Sequence, residues 1–364
     1  MGAKLYKKSG VDLVAGDACS ALAYAAAKAT FGARRGMFGA PVKMEGGFTG
    51  ALDFGDFYLV FNCDGVGSKI AIADAIGKYD TLGYDLLAMV ADDAVCVGAE
   101  TIAITNTIDT NKVSARVVGP LMEGLRKACV EQRVVVPGGE IGEVPSLVKG
   151  NIWNASAVGV VEKNKFITGK DVVPGDQIIG LRSRGFRSNG FSLVRHVLAR
   201  KFGAKWFKRA YDGGGASGKK RTWGEVALTP SLVYSAALLE LLGRYGQKRK
   251  CEIKGLANVT GGGIPGNITR VLGKYGANLD SLWPAHKPML DLQKMGNISD
   301  EEAYEVWNMG TGMILICNNF AAVEKAMKKY GIEAQIIGEV TRQPGVRLTS
   351  RGAFKDGQQM FFEA

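Results

Sequence analysis

Residues Phe61 to Lys69 read FNCDGVGSK and continue the apolar run FYLVF, Phe57–Phe61. Two glycines, an acid, a hydroxyl and a lysine therefore stand where a strand should end. Asp64-Gly65 is a good turn dipeptide, and Gly67 suits a left-handed backbone, so a plain turn is one reading. The other is a phosphate site. Gly65 and Gly67 would let backbone N–H groups approach an anion, Ser68 and Lys69 would add a hydroxyl and a charge, and Asp64 would offer magnesium a hard oxygen. The spacing is not that of a Walker A loop, which needs G-x-x-x-x-G-K-[ST]. Either way the stretch joins a strand to the helical AIADAIG, and such alternation sets the fold class.

The same alternation continues outward. TIAITNTI, RVVVPGG and NASAVGVVEK read as strands, and YDTLGYDLLAMVADDAVCVGAE and ARVVGPLMEGLRKACVEQ as helices. DACSALAYAAAKATF is an alanine-rich helix near the start. A Pro-Gly turn in GKDVVPGDQIIGL marks a boundary near residue 170. Beyond it come the helices SNGFSLVRHVLAR, PSLVYSAALLELLGRYG and FAAVEKAMKKYG, with the strands TGMILICN and AQIIGEV. The expected architecture is α/β (α+β) in two domains, 1–170 and 171–343, followed by a tail at 344–364. Residues 209–224, basic and glycine-rich, read as an exposed excursion.

The chain has 364 residues, enough for two domains, and is 46% hydrophobic and 22% charged. Its formal charge of +11 suits either nucleic acid or small phosphorylated molecules. Short basic runs such as KKR (Lys219–Arg221), without interleaved aromatics, argue against a single-strand binder. Six dispersed cysteines, with no C-x-x-C pair, point to reduced thiols and a cytoplasmic location. No apolar run is long enough for a membrane span, and the N-terminus lacks the apolar region of a signal peptide. With only two histidines, chemistry has to rest on carboxylates, lysines, arginines and glycine-rich backbone.

Leu82, Leu86, Met89, Asp93 and Val97 share one stripe of a helix, which places Asp93 among apolar neighbours. A carboxylate there is costly unless it is paired or bound to a metal. An internal ion pair and a magnesium shared with Asp64 both satisfy that condition. Asp92 is turned well round the helix, toward the flank of Asp85. GGEIGEVP sets Glu140 and Glu143 just past an apolar strand. Arg187, Ser188 and Asn189 open a helix, where they can serve as caps or as an anion site. NVTGGGIPGNITR is a second glycine-rich helix entry.

Taken in order, GVDLVAG, GGF, DGVGSK, YDTLGYDLLAM, GAE, GGE, VGVVEK, SNGFSLVR, LTP, TGGG and NMGTGM resemble the aminoimidazole ribonucleotide synthetase family, from about Gly10 to Val340. The resemblance implies a homodimer paired through its N-terminal domains, and ATP- and Mg2+-dependent ring closure of formylglycinamidine ribonucleotide in purine biosynthesis. In that chemistry ATP converts the formyl-amide oxygen into a phosphoryl imidate, and an amidine nitrogen then displaces phosphate. By matching position, Asp64, Asp93 and Glu140 become candidate metal ligands. Gly65, Gly67, Ser68 and Lys69 line the nucleotide, and Gly46, Gly47 and Phe48 belong to a glycine-rich loop over the site. Ser188, Asn189 and Gly190 fall on the substrate side. Lys69, Glu140 and Arg187 are the candidate catalytic residues.

Three positions depart from the family pattern. Arg187 stands where His is common, Asp92 where Asn is usual, and NTIDTNK replaces a segment closer to DYYATGK, which brings in Asn106 and Asp109. The alternatives are another ATP-dependent enzyme of the superfamily or a non-catalytic nucleotide-binding paralogue. Retained Asp64, Lys69 and Asp93 argue against the second. A nucleic-acid binder comes last.

Overall fold

The computed structural model describes residues 4–43, 47–213 and 221–363. Two helices lead in. The first is α1 (Lys4–Lys8), and the second is α2 (Leu13–Ala29), capped by the Asp12 carboxylate, which accepts from the Ala15 N–H at 3.3 Å. Alanine gives α2 its helix propensity, yet none of its residues is buried.

The first sheet takes strands β1 (Ala40–Pro41), β2 (Gly50–Asp53), β3 (Phe57–Gly65), β4 (Glu100–Thr110), β5 (Val135–Glu143) and β6 (Asn151–Glu162) in the order β1-β2-β3-β6-β4-β5. Only β4 and β5 run parallel, joined by a helical crossover. Helices α3 (Ile70–Ile76), α4 (Leu82–Cys96) and α5 (Ala115–Gln132) pack on one face. β5 does not stop at the two glycines. It runs on to Glu143, so Glu140 lies inside the edge strand rather than beyond its end.

The second sheet opens with β7 (Gln177–Arg182), and the short strands β8 (Ala210–Tyr211) and β9 (Arg221–Thr222) pair apart from it. With β10 (Gly255–Asn258), β11 (Gly276–Leu279), β12 (Thr311–Ile316), β13 (Ala334–Thr341), β14 (Gly345–Thr349) and β15 (Gln359–Phe362) its order is β10-β12-β7-β13-β11-β14-β15. Its helices are α6 (Phe191–Phe202), α7 (Trp223–Ala227), α8 (Ser235–Leu242), α9 (Gly263–Leu272), α10 (Lys287–Gly296), α11 (Asp300–Val306) and α12 (Phe320–Lys328). Both sheets are mixed, which gives the α+β character expected. The segment read as a tail is corrected: β14 pairs in parallel with β11 and β15 pairs with β14, so these residues close the second sheet. The excursion at 209–224 is ordered at its ends by the β8–β9 pair and α7; its centre, 214–220, lies outside the described residues.

Helix α4 is the axis of the molecule. Thirteen of its 15 residues are buried, because the first sheet, α5, α8 and β10 surround it. A helix enclosed on every side needs no single apolar stripe. Asp92 and Asp85, one flank of that helix, are therefore as buried as the leucines.

Candidate active site between the two sheets

Strand β3 keeps pairing with β6 through Asp64 and Gly65, opposite Ala155 and Asn154. Side chains alternate along a strand, and Ala155 is buried under the helices, so Asp64 also points to the helix side. A Cβ on Gly65 would lie 2.1 Å from Asn154 Oδ1, so this glycine answers to strand packing. The chain then turns at Gly67, with φ +55°, where an added Cβ would lie 3.7 Å from the Ser188 carbonyl. The opening stretch is thus a strand end and turn that also aims a carboxyl inward.

Helix α4 brings Asp93 toward the same point. Burial pushes the Asp93 carboxyl up to about 7, and the neighbouring Asp64 charge adds to that rise. The Asn258 side chain opposes it, donating from Nδ2 to Asp93 Oδ1 at 2.8 Å. Burial also raises the Asp64 carboxyl, against a 2.6 Å hydrogen bond from the Gly65 N–H. Two desolvated carboxyls, with the Asp64 charge raising Asp93 and Arg270 lowering it, form an arrangement that a cation would relieve.

The second half supplies the opposite wall. Arg270 of α9 lies over the Phe48 ring at 4.2 Å and donates to the Gly47 carbonyl at 3.4 Å, docking the glycine-rich loop. Gly46 lies outside the described residues. Beside this contact is a cavity of about 240 Å³, with Cys96, Val97 and Ile167 as apolar lining and Lys43, Lys170 and Arg270 as cations. Ser68 Oγ is 3.4 Å from Ser192 Oγ at the start of α6. Asn189 reaches Met89 of α4 and faces Gly261. Ser188 Oγ is buried with no hydrogen-bond partner among the described residues.

Four expected site residues sit elsewhere. Lys69 does not line the cleft. Its ammonium is fully buried, 2.8 Å from Asp85 Oδ1, and donates to the carbonyls of Arg187 at 2.9 Å and Thr229 at 2.8 Å. All three of its donors are used, leaving none for a phosphate. Arg187 is likewise internal, with φ +60°. It donates to Asp92 Oδ2 at 2.8 Å, to the Gly312 carbonyl at 2.6 Å and to Asn258 Oδ1, and lies over the Tyr234 ring. Gly190 is required by packing: at φ +75° a Cβ would meet the Trp307 ring at 2.5 Å. Glu140 is opposite Thr107, which pairs with Asn154 and so belongs to the outer face. Strand alternation therefore places Glu140 and Asp64 on opposite sides of one sheet.

Consequently the trio Asp64, Asp93 and Glu140 does not converge. Among the described residues no three acidic, His or Cys side chains gather as a metal site. The pair Asp64 and Asp93 remains, and its donor chemistry fits one hard cation whose other ligands come from water or phosphate. Asn258 and Arg270 are functional neighbours that the sequence did not single out. Both lie in NVTGGGIPGNITR, a stretch whose evident sequence signal is its glycines.

Comparison with known proteins agrees with this architecture. The chain matches the model of the AIR synthase related protein N-terminal domain over residues 48–161, and that of its C-terminal domain over 173–351. It is 36% identical over 328 residues to the phosphoribosylformylglycinamidine cyclo-ligase of Thermococcus kodakarensis, covering 90% of this chain and 92% of that one. With the Pyrococcus furiosus cyclo-ligase it shares 34% identity over 349 residues, covering 95% and 98%. Among solved structures, a chain of the HypE–HypF complex superposes with a TM-score of 0.61 at 16% identity, covering 87% of this chain and 93% of that chain. Thermotoga maritima PurL complexed with AMPPCP gives 0.52 at 14% identity, covering 88% and 44%. The last two likenesses concern the fold alone. With both of its halves matched in order and full-length relatives above 30% identity, the chain belongs to the AIR synthase related family.

Proposed function

We propose that this protein is a phosphoribosylformylglycinamidine cyclo-ligase, closing formylglycinamidine ribonucleotide to aminoimidazole ribonucleotide while ATP becomes ADP and phosphate. The observation that carries the reading is the pair of desolvated carboxyls, Asp64 on the helix side of β3 and Asp93 of α4 held by Asn258, in a chain colinear with cyclo-ligases over 90% of its length. In this reading the γ-phosphoryl group goes to the formyl-amide oxygen, the amidine nitrogen attacks the same carbon, and phosphate departs with that oxygen. The chain's contribution is placement: both ends of one molecule are held so that attack is intramolecular. Asp64 and Asp93 would hold Mg2+, which when bound neutralises phosphate charge. The Gly67–Ser68 turn and the Gly47–Phe48 loop would close around the nucleotide, with Arg270 as the nearby cation. Ser188 and Asn189, across from them, would face the substrate.

We further propose a homodimer formed through the outer face of the first sheet. Among the described residues no helix covers that face, and it carries Phe61 and Cys63 of β3, both exposed, beside Val158 and Val160 of β6. An uncovered apolar sheet face of this kind is a characteristic association surface. The unburied helix α2, with Val14 and Leu22 exposed, also suits a partner. Six free cysteines fit a reducing cytoplasm.

The test is a coupled assay with Mg2+–ATP and formylglycinamidine ribonucleotide, following aminoimidazole ribonucleotide and ADP together. Equimolar products are expected, with Asp64→Asn lowering kcat/KM by at least about a hundredfold. ATP turnover without ring closure would instead assign another acceptor to the cleft.

A further inference from the structure

We propose that Asp92 and Arg187 are positioning residues for Asp93: the guanidinium, anchored by Asp92, fixes the amide of Asn258 so that Asp93 is held by one oxygen and presents the other to a divalent cation. The proposal rests on the reading of Asp93 as a cation ligand.

Four side chains, Asp92, Arg187, Asn258 and Asp93, are hydrogen-bonded in series. Asp92 Oδ1 accepts from the N–H groups of Tyr234 at 2.8 Å and Ser235 at 3.0 Å, while its Oδ2 accepts from Arg187 at 2.8 Å. The carboxylate is thereby saturated and immobile. The guanidinium, 2% exposed, is further gripped by the Gly312 carbonyl and spends another donor on Asn258 Oδ1. Arginine only donates, so the amide of Asn258 can present only its oxygen to it. That leaves Nδ2 on the other side, donating to Asp93 Oδ1 at 2.8 Å. Asp93 Oδ2 has no hydrogen-bond donor among the described residues, and Asp93 is not fully buried.

Without Arg187, Asn258 Oδ1 loses the donor that anchors it, and only Asp93 itself is left to set the sense of the amide. Turned over, it would set Oδ1 against the carboxylate, acceptor against acceptor, and Asp93 would lose its orientation. Neighbours that orient a metal ligand typically govern affinity by about 10–100-fold, and this network has that form.

Removing one charge alone would strand the other in the interior. The test therefore uses the double variant Asp92→Asn/Arg187→Gln, whose amide at 187 can either donate or accept. Asn258→Ala serves as the second variant, because it leaves the Asp92–Arg187 pair in place. Mn2+ affinity is measured by electron paramagnetic resonance in the presence of a non-hydrolysable ATP analogue, with near-UV circular dichroism verifying the native fold. Asp93→Asn is run alongside. The expected result is a loss of Mn2+ affinity of about tenfold or more in all three proteins. Loss in Asp93→Asn, with affinity unchanged in a natively folded double variant or in Asn258→Ala, overturns the positioning role and leaves the cation site standing. Unchanged affinity in Asp93→Asn overturns the cation site and the positioning role with it.

Discussion

Lys69 shows how one residue can carry two readings that only its surroundings separate. As part of DGVGSK it looks like a phosphate ligand. In the fold it crosses from the first half to the second, its charge shared with Asp85 and two carbonyls. Asp85 reinforces the joint by accepting from the N–H and hydroxyl of Ser231, at 2.9 and 2.5 Å. Burial pushes the lysine down and the aspartate up, and their mutual attraction opposes both shifts. Lys69→Met would leave a buried carboxylate whose Oδ2 already has no hydrogen-bond partner among the described residues. The expected cost is about 3–5 kcal/mol, read as a lowered urea midpoint. The double change Lys69→Met/Asp85→Leu should recover most of it, because an apolar pair of similar volume removes the stranded charge. If Lys69 instead served ATP, the double variant would regain stability while its KM for ATP stayed raised. The Asp92–Arg187 contact is a parallel case. These two departures from the family pattern look unrelated in the sequence, 95 positions apart, yet they are a single ion pair at 2.8 Å.

At the scale of elements, strands were legible and their exits were not. Apolar runs found β3, β4 and β6, and the family motifs put Asp64 and Asp93 forward as a pair. The face of Glu140 escaped because its strand continues through two glycines, and a glycine run reads as a stop when the partner strand is unknown. The burial of Asp85 and Asp92 escaped because helical periodicity identifies one inward stripe, whereas α4 is surrounded. The PSLVYSAALLELLGRYG helix begins only at Ser235, since the N–H groups of Tyr234 and Ser235 are committed to Asp92. Gly190 bears on the same point. It sits in a substrate-side motif, but its left-handed backbone and its contact with Trp307 are demands of the α6 entry. Gly190→Ala should therefore destabilise the protein by about 3 kcal/mol or more, seen as a lower unfolding midpoint. Asn189→Ala, one residue away, should leave that midpoint nearly unchanged and act on the substrate KM. Equal loss of stability in both variants would place the whole motif in the scaffold.

For the molecule as a whole, the two halves are joined by buried charge as well as apolar packing: Lys69, Asp85, Asp92 and Arg187 all bridge them. Such pins cannot slide, since each donor and acceptor has a fixed partner, so the cleft holding Asp64 and Asp93 keeps its width when the surface is altered. This separates the site from the outer face of the first sheet and makes the dimer testable without disturbing the cleft. On that face Val158 lies between Phe61 of β3 and Ala103 of β4. A glutamate at 158 would put a charge in the centre of the association surface, where pairing would strip its water. Within one subunit the same position is half-buried on the uncovered side of the sheet, where a longer side chain can extend into solvent, so folding should be spared. The expected outcome for Val158→Glu is a shift in sedimentation equilibrium from dimer to monomer at micromolar concentration, with an unchanged circular dichroism spectrum. Glu140 is on that face as well, and its role can be read from the same variant. If Glu140 acts across the interface, activity should fall together with the dimer; a fully active monomer would confine the chemistry to the cleft of one chain. A variant that remains dimeric would remove the outer face as the interface and direct attention to the uncovered helix α2.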